Sequence, residues 1–316
     1  MKPKALLTLF CAALLIAACE RTPKAEKTVL MAPDGVFAAA LTEQYALIAT
    51  ASGPAQLWQL NPKSLLHNWQ HTDANNGIVK VALSADEHYA ITAEKDSLAW
   101  WRIADGALLK VWSFPDIGAI SLSADGRFAL IGLKDKAIYF ALPYGRTQYA
   151  FAHDNPVLAT ALSRNGDYAL TGSEDNTAKL WDLKNGTLQY IWPHPNQVTT
   201  VALSADGAYA MTNAALSQTH LWKTATGKVH QDVGPKLLTL SAAQFSDNGN
   251  YLVTGRISQR IDLWNVKTGK LLKYWRPQKQ EIWRPSAASI VALAFTDNDK
   301  KITSMATNGF LQRWRR

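Results

Sequence analysis

Cysteine is almost missing from this chain. Only Cys11 and Cys19 occur, and nothing after position 19 can join a disulfide. A small scaffold stapled by cross-links is therefore excluded, even in an oxidising compartment. The short signatures of common chemistry are absent too. There is no phosphate loop, no Cys-x-x-Cys, no His-Glu-x-x-His and no nucleophile elbow. The histidines (His67, His71, His88, His153, His194, His220 and His230) are scattered, which argues against a metal centre. No cofactor is expected. Charged residues make up only 18% of the chain, and no dense Lys/Arg face of the kind nucleic acid requires is visible.

What is present begins at the N-terminus. Lys2 and Lys4 precede an apolar run from Ala5 to Ala18, too short to span a bilayer comfortably and about right for a signal peptide. The run ends Leu15-Ile16-Ala17-Ala18-Cys19. This resembles the lipobox of bacterial lipoproteins. The resemblance implies that residues 1–18 are removed and that Cys19 carries a diacylglyceryl group and an acylated amino terminus. Residues 19–27 would then be a lipidated, polar tether. Two or three acyl chains anchor a protein stably. Glu20 stands where an aspartate tends to mean inner-membrane retention, so the outer membrane of the envelope is favoured, with the protein facing the periplasm. Loss of Lys2 and Lys4 lowers the formal charge from +8 to about +6.

From residue 28 onward the chain repeats. A hydroxyl residue recurs at Thr42, Ser84, Ser123, Ser163, Ser204, Ser246 and Thr296. Each follows a leucine or phenylalanine. An aromatic comes soon after in six units, at Tyr45, Tyr89, Phe128, Tyr168, Tyr209 and Tyr251, and Lys301 replaces it in the seventh. A second aromatic closes each unit's third apolar run, at Trp58, Trp101, Phe140, Trp181, Trp222, Trp264 and Trp314. Asp-Gly and Asn-Gly pairs such as Asp125-Gly126 and Asn165-Gly166 separate the first run from the second, because both residue types tolerate positive φ. Each unit thus reads as four short strands.

The unit from His153 to Trp192 carries Ser173-Glu174-Asp175 and Trp181-Asp182, and it resembles the WD40 repeat. The resemblance extends over residues 28–316 and implies an all-β, seven-bladed propeller of about 41 residues per blade. It also implies a hydrogen-bonded tetrad inside a blade, here His153, Thr171 or Ser173, Asp175 and Trp181. Other units lack the Asp after the aromatic, and several lack the histidine. The last unit stops at Arg316, after its third strand, so Thr28–Met31 is expected to supply the missing outer strand and close the ring.

Two connections break the repeat: His71 to Gly77, and Arg276 to Ala288. Loops longer than the repeat minimum are candidates for function. The second holds Arg276, Lys279, Trp283 and Arg284, a cationic and aromatic set suited to a binding hot spot. Arg256 and Arg260, with Lys95, Lys134 and Lys136, are expected on the same rim and would make it basic. The expectation is a non-enzymatic scaffold lipoprotein that binds an envelope protein or acidic peptide through this rim. A quinoprotein-like or lactonase-like propeller enzyme, or a module that binds a glycan or lipid headgroup in the channel, are the alternatives.

Overall fold

The computed structural model describes residues 23–51, 53–71, 77–279 and 288–316. They form seven four-stranded antiparallel sheets. Blade 1 runs from β2 (Ala38–Leu41) through β3 (Tyr45–Ala49) and β4 (Ala55–Leu60) to β5 (Lys63–Trp69). Blade 2 runs from β6 (Lys80–Leu83) to β9 (Leu108–Ser113), and blade 3 from β10 (Ala119–Leu122) to β13 (Arg146–Ala152). Blade 4 comprises β14 (Val157–Leu162), β15 (Tyr168–Ser173), β16 (Thr177–Asp182) and β17 (Thr187–Pro193). Blade 5 comprises β18 (Val198–Leu203), β19 (Tyr209–Ala214), β20 (Ser217–Lys223) and β21 (Lys228–Leu238). Blade 6 comprises β22 (Leu240–Phe245), β23 (Tyr251–Arg256), β24 (Arg260–Asn265) and β25 (Leu271–Trp275). Blade 7 contains β26 (Ile290–Thr296), β27 (Lys301–Ala306) and β28 (Phe310–Arg315).

The fourth strand of blade 7 is β1 (Lys27–Leu30), from the other end of the chain. Lys27 pairs with Arg313 and Leu30 with Phe310. The closing strand is thus one residue earlier than the sequence suggests. Met31 has left the ladder and is buried, its backbone N–H bonded to the Gly309 carbonyl. Closure removes the open edge that β28 would otherwise present.

The recurring hydroxyl has a physical cause. At the end of the inner strand in blades 1 to 6 its side chain accepts the backbone N–H that opens the second strand, while in blade 7 Thr296 meets the Thr303 hydroxyl instead. Ser84 holds Tyr89, Ser163 holds Tyr168 and Ser204 holds Tyr209, each at 2.9 Å. In three blades the hydroxyl also donates 2.6 Å to the turn aspartate: Ser84 to Asp86, Ser123 to Asp125 and Ser204 to Asp206. The turn is stapled at both ends, and Ser84, Ser163 and Ser204 are buried.

Apolar side chains fill the seams. Seven clusters of buried residues each draw on two neighbouring blades, one cluster per seam. Polar contacts cross some seams as well. Trp69 of blade 1 donates its indole N–H to the Gly106 carbonyl of blade 2 at 3.1 Å, and Trp192 donates to Gly227 at 3.0 Å. Gly227 has φ of +66°, and a Cβ there would collide with the Tyr190 ring of the preceding blade. That turn requires glycine on both counts.

Because strand direction alternates, the connections between blades lie at the same end as the turns between second and third strands. This end is the rim. Lys27, the first residue of β1, sits at the opposite end of blade 7, so the N-terminal segment leaves the propeller from the face away from the rim.

Candidate functional site

In blade 4, β14 to β16 bring the four tetrad side chains together. Trp181 donates its indole N–H to Thr171 Oγ1 at 3.0 Å, and that oxygen lies 2.7 Å from His153 Nε2. His153 Nδ1 lies 2.7 Å from Asp175 Oδ2. Burial pulls His153 below its ordinary pKa despite the opposing pull of Asp175, so the ring is neutral and Nδ1–H donates. Burial works against charge on Asp175, but hydrogen bonds from Thr177 and His153 outweigh it and hold the carboxyl at about 2. The chain of donors runs Trp181, Thr171, His153, Asp175, and every member is satisfied. Ser173 makes different bonds. It donates to the Asn155 carbonyl at 2.9 Å and accepts the Asp175 N–H. The geometry therefore selects Thr171 over Ser173 as the tetrad hydroxyl.

The indole-to-hydroxyl bond recurs in blades 2, 5, 6 and 7, as Trp101 to Thr92, Trp222 to Thr212, Trp264 to Thr254 and Trp314 to Ser304, at 2.8–2.9 Å. Blade 2 goes further. His71 Nε2 lies 2.7 Å from Thr92 Oγ1, and His71 Nδ1 lies 2.7 Å from Ser97, which in turn donates to Glu94 at 3.0 Å. The sequence places His71 at the head of a long connection; it is a tetrad histidine whose carboxylate is reached through Ser97. In blade 5, His194 is buried and neither ring nitrogen meets a partner among the described residues. These polar groups are internal to blades. Among the described residues no three His, Cys, Asp or Glu side chains are placed to hold a metal ion.

The rim is less basic than the sequence suggests. Arg256 and Arg260 each put Nε 2.6 Å from a different oxygen of Asp262, a fully buried carboxylate of β24. Arg260 also stacks on Tyr274 at 4.1 Å. Arg256 and Arg260 are opposite one another in the β23–β24 ladder, and Asp262 is on the same face two residues along. Both arginines are thereby held inside blade 6. Lys95 pairs with Asp116 at 3.2 Å and Lys136 with Asp135 at 3.7 Å. Arg276 and Lys279 remain exposed. The chain beside them is pinned at Gln278, whose N–H reaches Gln312 at 2.9 Å and whose carbonyl accepts from Asn308 at 2.8 Å. Trp283 and Arg284 lie outside the described residues, as do Cys19 and most of the His71–Gly77 connection.

Sequence reasoning misses the rim's apolar side chains. Leu216, Leu237 and Ile257 are 64%, 77% and 53% exposed, in the turns and connection of blades 5 and 6. Leu216 and Leu237 adopt left-handed backbone, with φ of 48° and 61°. That conformation is rare and costly for leucine, on the order of 1–2 kcal/mol each. The corresponding turn of blade 4 uses Asn176, which suits it. A buried polar brace holds the strained pair. Asn213 donates to the Leu238 carbonyl and accepts from the Leu240 N–H, and Leu216 N–H reaches Thr239 Oγ1, at 2.9–3.2 Å. Beside Leu216 opens a groove of about 400 Å³ lined by Glu174, Asn176, Asn196, Gln197 and Ala215.

Residues 145–182 match the family model described as WD domain, G-beta repeat. The matched span holds β13 to β16, which is the outer strand of blade 3 and the three inner strands of blade 4. A WD40 repeat in sequence is therefore offset from a blade in space, and the blade it mostly covers is the one with the four-membered tetrad. With seven four-stranded sheets in a ring, the match supports a WD40 propeller. No curated protein matches the chain.

Proposed function

We propose that this protein is a non-enzymatic interaction module, tethered through Cys19 to a bacterial envelope membrane. Its rim would grip a protein segment with apolar side chains and acidic flanks. The observation that carries this reading is the pair of exposed, left-handed leucines, Leu216 and Leu237. Strain that a fold keeps at the surface, braced by a buried network, points to a role outside stability. Exposed apolar groups clustered among polar ones are what partner surfaces use. The exposed cations Lys236, near the end of β21, Arg276 and Lys279 have no carboxylate partner among the described residues and favour acidic groups on the partner. The WD40 match agrees, since propellers of this type serve mainly as scaffolds.

The tether fits the same picture. The N-terminal segment leaves the propeller opposite the rim. A lipid on Cys19 would hold the protein with its rim turned away from the bilayer, towards the periplasm, with the outer membrane favoured by Glu20. Two experiments test the reading. Cys19→Ser should abolish incorporation of labelled palmitate and move the protein from the membrane fraction to the soluble one. Leu216→Glu with Leu237→Glu should abolish partner capture, while Tyr144→Glu on the opposite face should leave it intact. Palmitate incorporation unaffected by Cys19→Ser would refute the tether, and capture unaffected by the leucine changes would refute the rim.

A further inference from the structure

The axis of the ring encloses a cavity of about 480 Å³ lined by the first strands of all seven blades. Its walls are apolar or hydroxylated, with few exceptions. Lys80 is the only charged residue among those that line it. The contrast is sharp in register. Three residues before the leucine or phenylalanine that ends each first strand stand Ala38, Ala119, Ala159, Thr200, Ala242 and Ala292; in blade 2 the place is taken by Lys80. Five of these small residues, all but Ala38, line the cavity with the one long, cationic side chain.

That ammonium meets no hydrogen-bond acceptor and no carboxylate among the described residues. Burial draws its pKa below the ordinary lysine value. A second polar group of the lining is also unsatisfied: the Thr199 hydroxyl is buried without a partner among the described residues. Other channel hydroxyls are occupied, Ser121 with Thr160 and Thr200 with the Leu240 carbonyl. The two ends of the channel differ. Lys80 opens β6 and so lies towards the rim. The far mouth is lined by Glu43, Glu87, Arg164 and Asp247, and the Arg164 charge is already paired with Asp247 at 2.9 Å. An anion would be repelled at the far mouth and admitted from the rim.

We infer that the central channel is a binding site for a singly charged carboxylate, entering from the rim and held by the Lys80 ammonium. One charge matches one charge. A phosphate dianion would leave one negative charge uncompensated beside a single ammonium, which is unfavourable. Leu158, Ile120 and Val291 suit the aliphatic part of such a ligand. The carboxylate could belong to a free small acid or to the C-terminus of a peptide, and the cavity has room for either. The inference does not depend on rim binding, since neither Leu216 nor Leu237 lines the channel.

The test uses the whole mature protein with its lysines labelled as 13C-dimethylamines, followed by NMR. The Lys80 signal is identified by its loss in Lys80→Met and Lys80→Gln. The probes are butyrate, an acetylated tetra-alanine with a free C-terminus, and the same peptide as its amide, with sodium chloride as the ionic-strength control. Butyrate or the free-acid peptide should move the Lys80 signal saturably and raise its titration midpoint. Both lysine variants should keep their melting temperature and, in titration calorimetry alongside the unchanged protein, bind roughly tenfold more weakly or worse. A response to butyrate points to a free acid, and a response to the free-acid peptide alone points to a chain terminus. The inference is overturned if neither probe shifts Lys80, if chloride or the amide acts equally, or if binding survives in the variants.

Discussion

Thr171 Oγ1 lies 2.7 Å from His153 Nε2 while accepting the Trp181 indole N–H, so one hydroxyl joins both halves of the polar chain in blade 4. Replacing it with the isosteric Thr171→Val leaves two buried polar groups without partners. We expect a loss of about 2–4 kcal/mol in urea denaturation, with Thr92→Val in blade 2 close behind. Ser173→Ala should cost about 1 kcal/mol, because only turn bonds go. Equal effects of Thr171→Val and Ser173→Ala would show that the tetrad does not bear the load assigned to it.

Acid should loosen the propeller through its buried histidines. Burial holds His71 and His194 at about 4, below the ordinary 6.5. The unfolded imidazoles therefore take up protons first as pH falls. Stability is complete above pH 6.5 and declines through the window down to about 4, by up to roughly 1.4 kcal/mol per pH unit for each ring. Denaturation midpoints between pH 7.5 and 4.5 measure the slope. His194→Leu removes an imidazole whose nitrogens have no partner among the described residues, so it should flatten the slope without lowering stability at neutral pH. A steeper slope in that variant would count against this.

Asp262 divides the rim arginines from a binding role. Asp262→Ala leaves Arg256 and Arg260 crowded together without their counter-charge, and a loss of about 3–5 kcal/mol is expected. Arg256→Glu should likewise lower the melting temperature. Arg276→Glu and Lys279→Glu, on exposed positions, should leave it within a degree or so. A thermal scan of the four variants decides the matter. A stable Arg256→Glu would make that residue a partner contact again.

Closure gives a further expectation. Deleting residues 27–30 bares the edge of β28 and removes the contact of Gln312 with Thr28 Oγ1 at 3.0 Å. The melting temperature should fall by several degrees and light scattering should show association. An unchanged melting temperature would mean that the ring holds without its seam strand.

The repeat is legible in the sequence because each recurring residue makes a recurring bond. Ser84, Ser163 and Ser204 all staple a turn, and Trp181, Trp222 and Trp264 all donate to a hydroxyl. His71 is hard to recognise because blade 2 reaches its carboxylate, Glu94, through Ser97, while the aspartate of the same turn, Asp96, accepts the Asp116 N–H instead. Arg256 and Arg260 resemble rim charges because nothing in their spacing reveals a buried acid on the same strand face. Leu216 and Leu237 carry no signal, since left-handed backbone in leucine runs against every propensity. Lys80 is one basic residue among many until the ring sets it in the channel beside Ala119, Ala159, Thr200, Ala242 and Ala292.

The rim as a partner surface is tested most directly in living cells. A photo-crosslinking side chain at Ile257 should yield a discrete adduct, lost when Leu216 and Leu237 are both changed to glutamate, and the same probe at Tyr144 should yield none. Leu216→Asn should raise the melting temperature by relieving strain while weakening that adduct. An adduct that persists in the double glutamate variant, or that forms equally at Tyr144, would contradict the assignment of the rim.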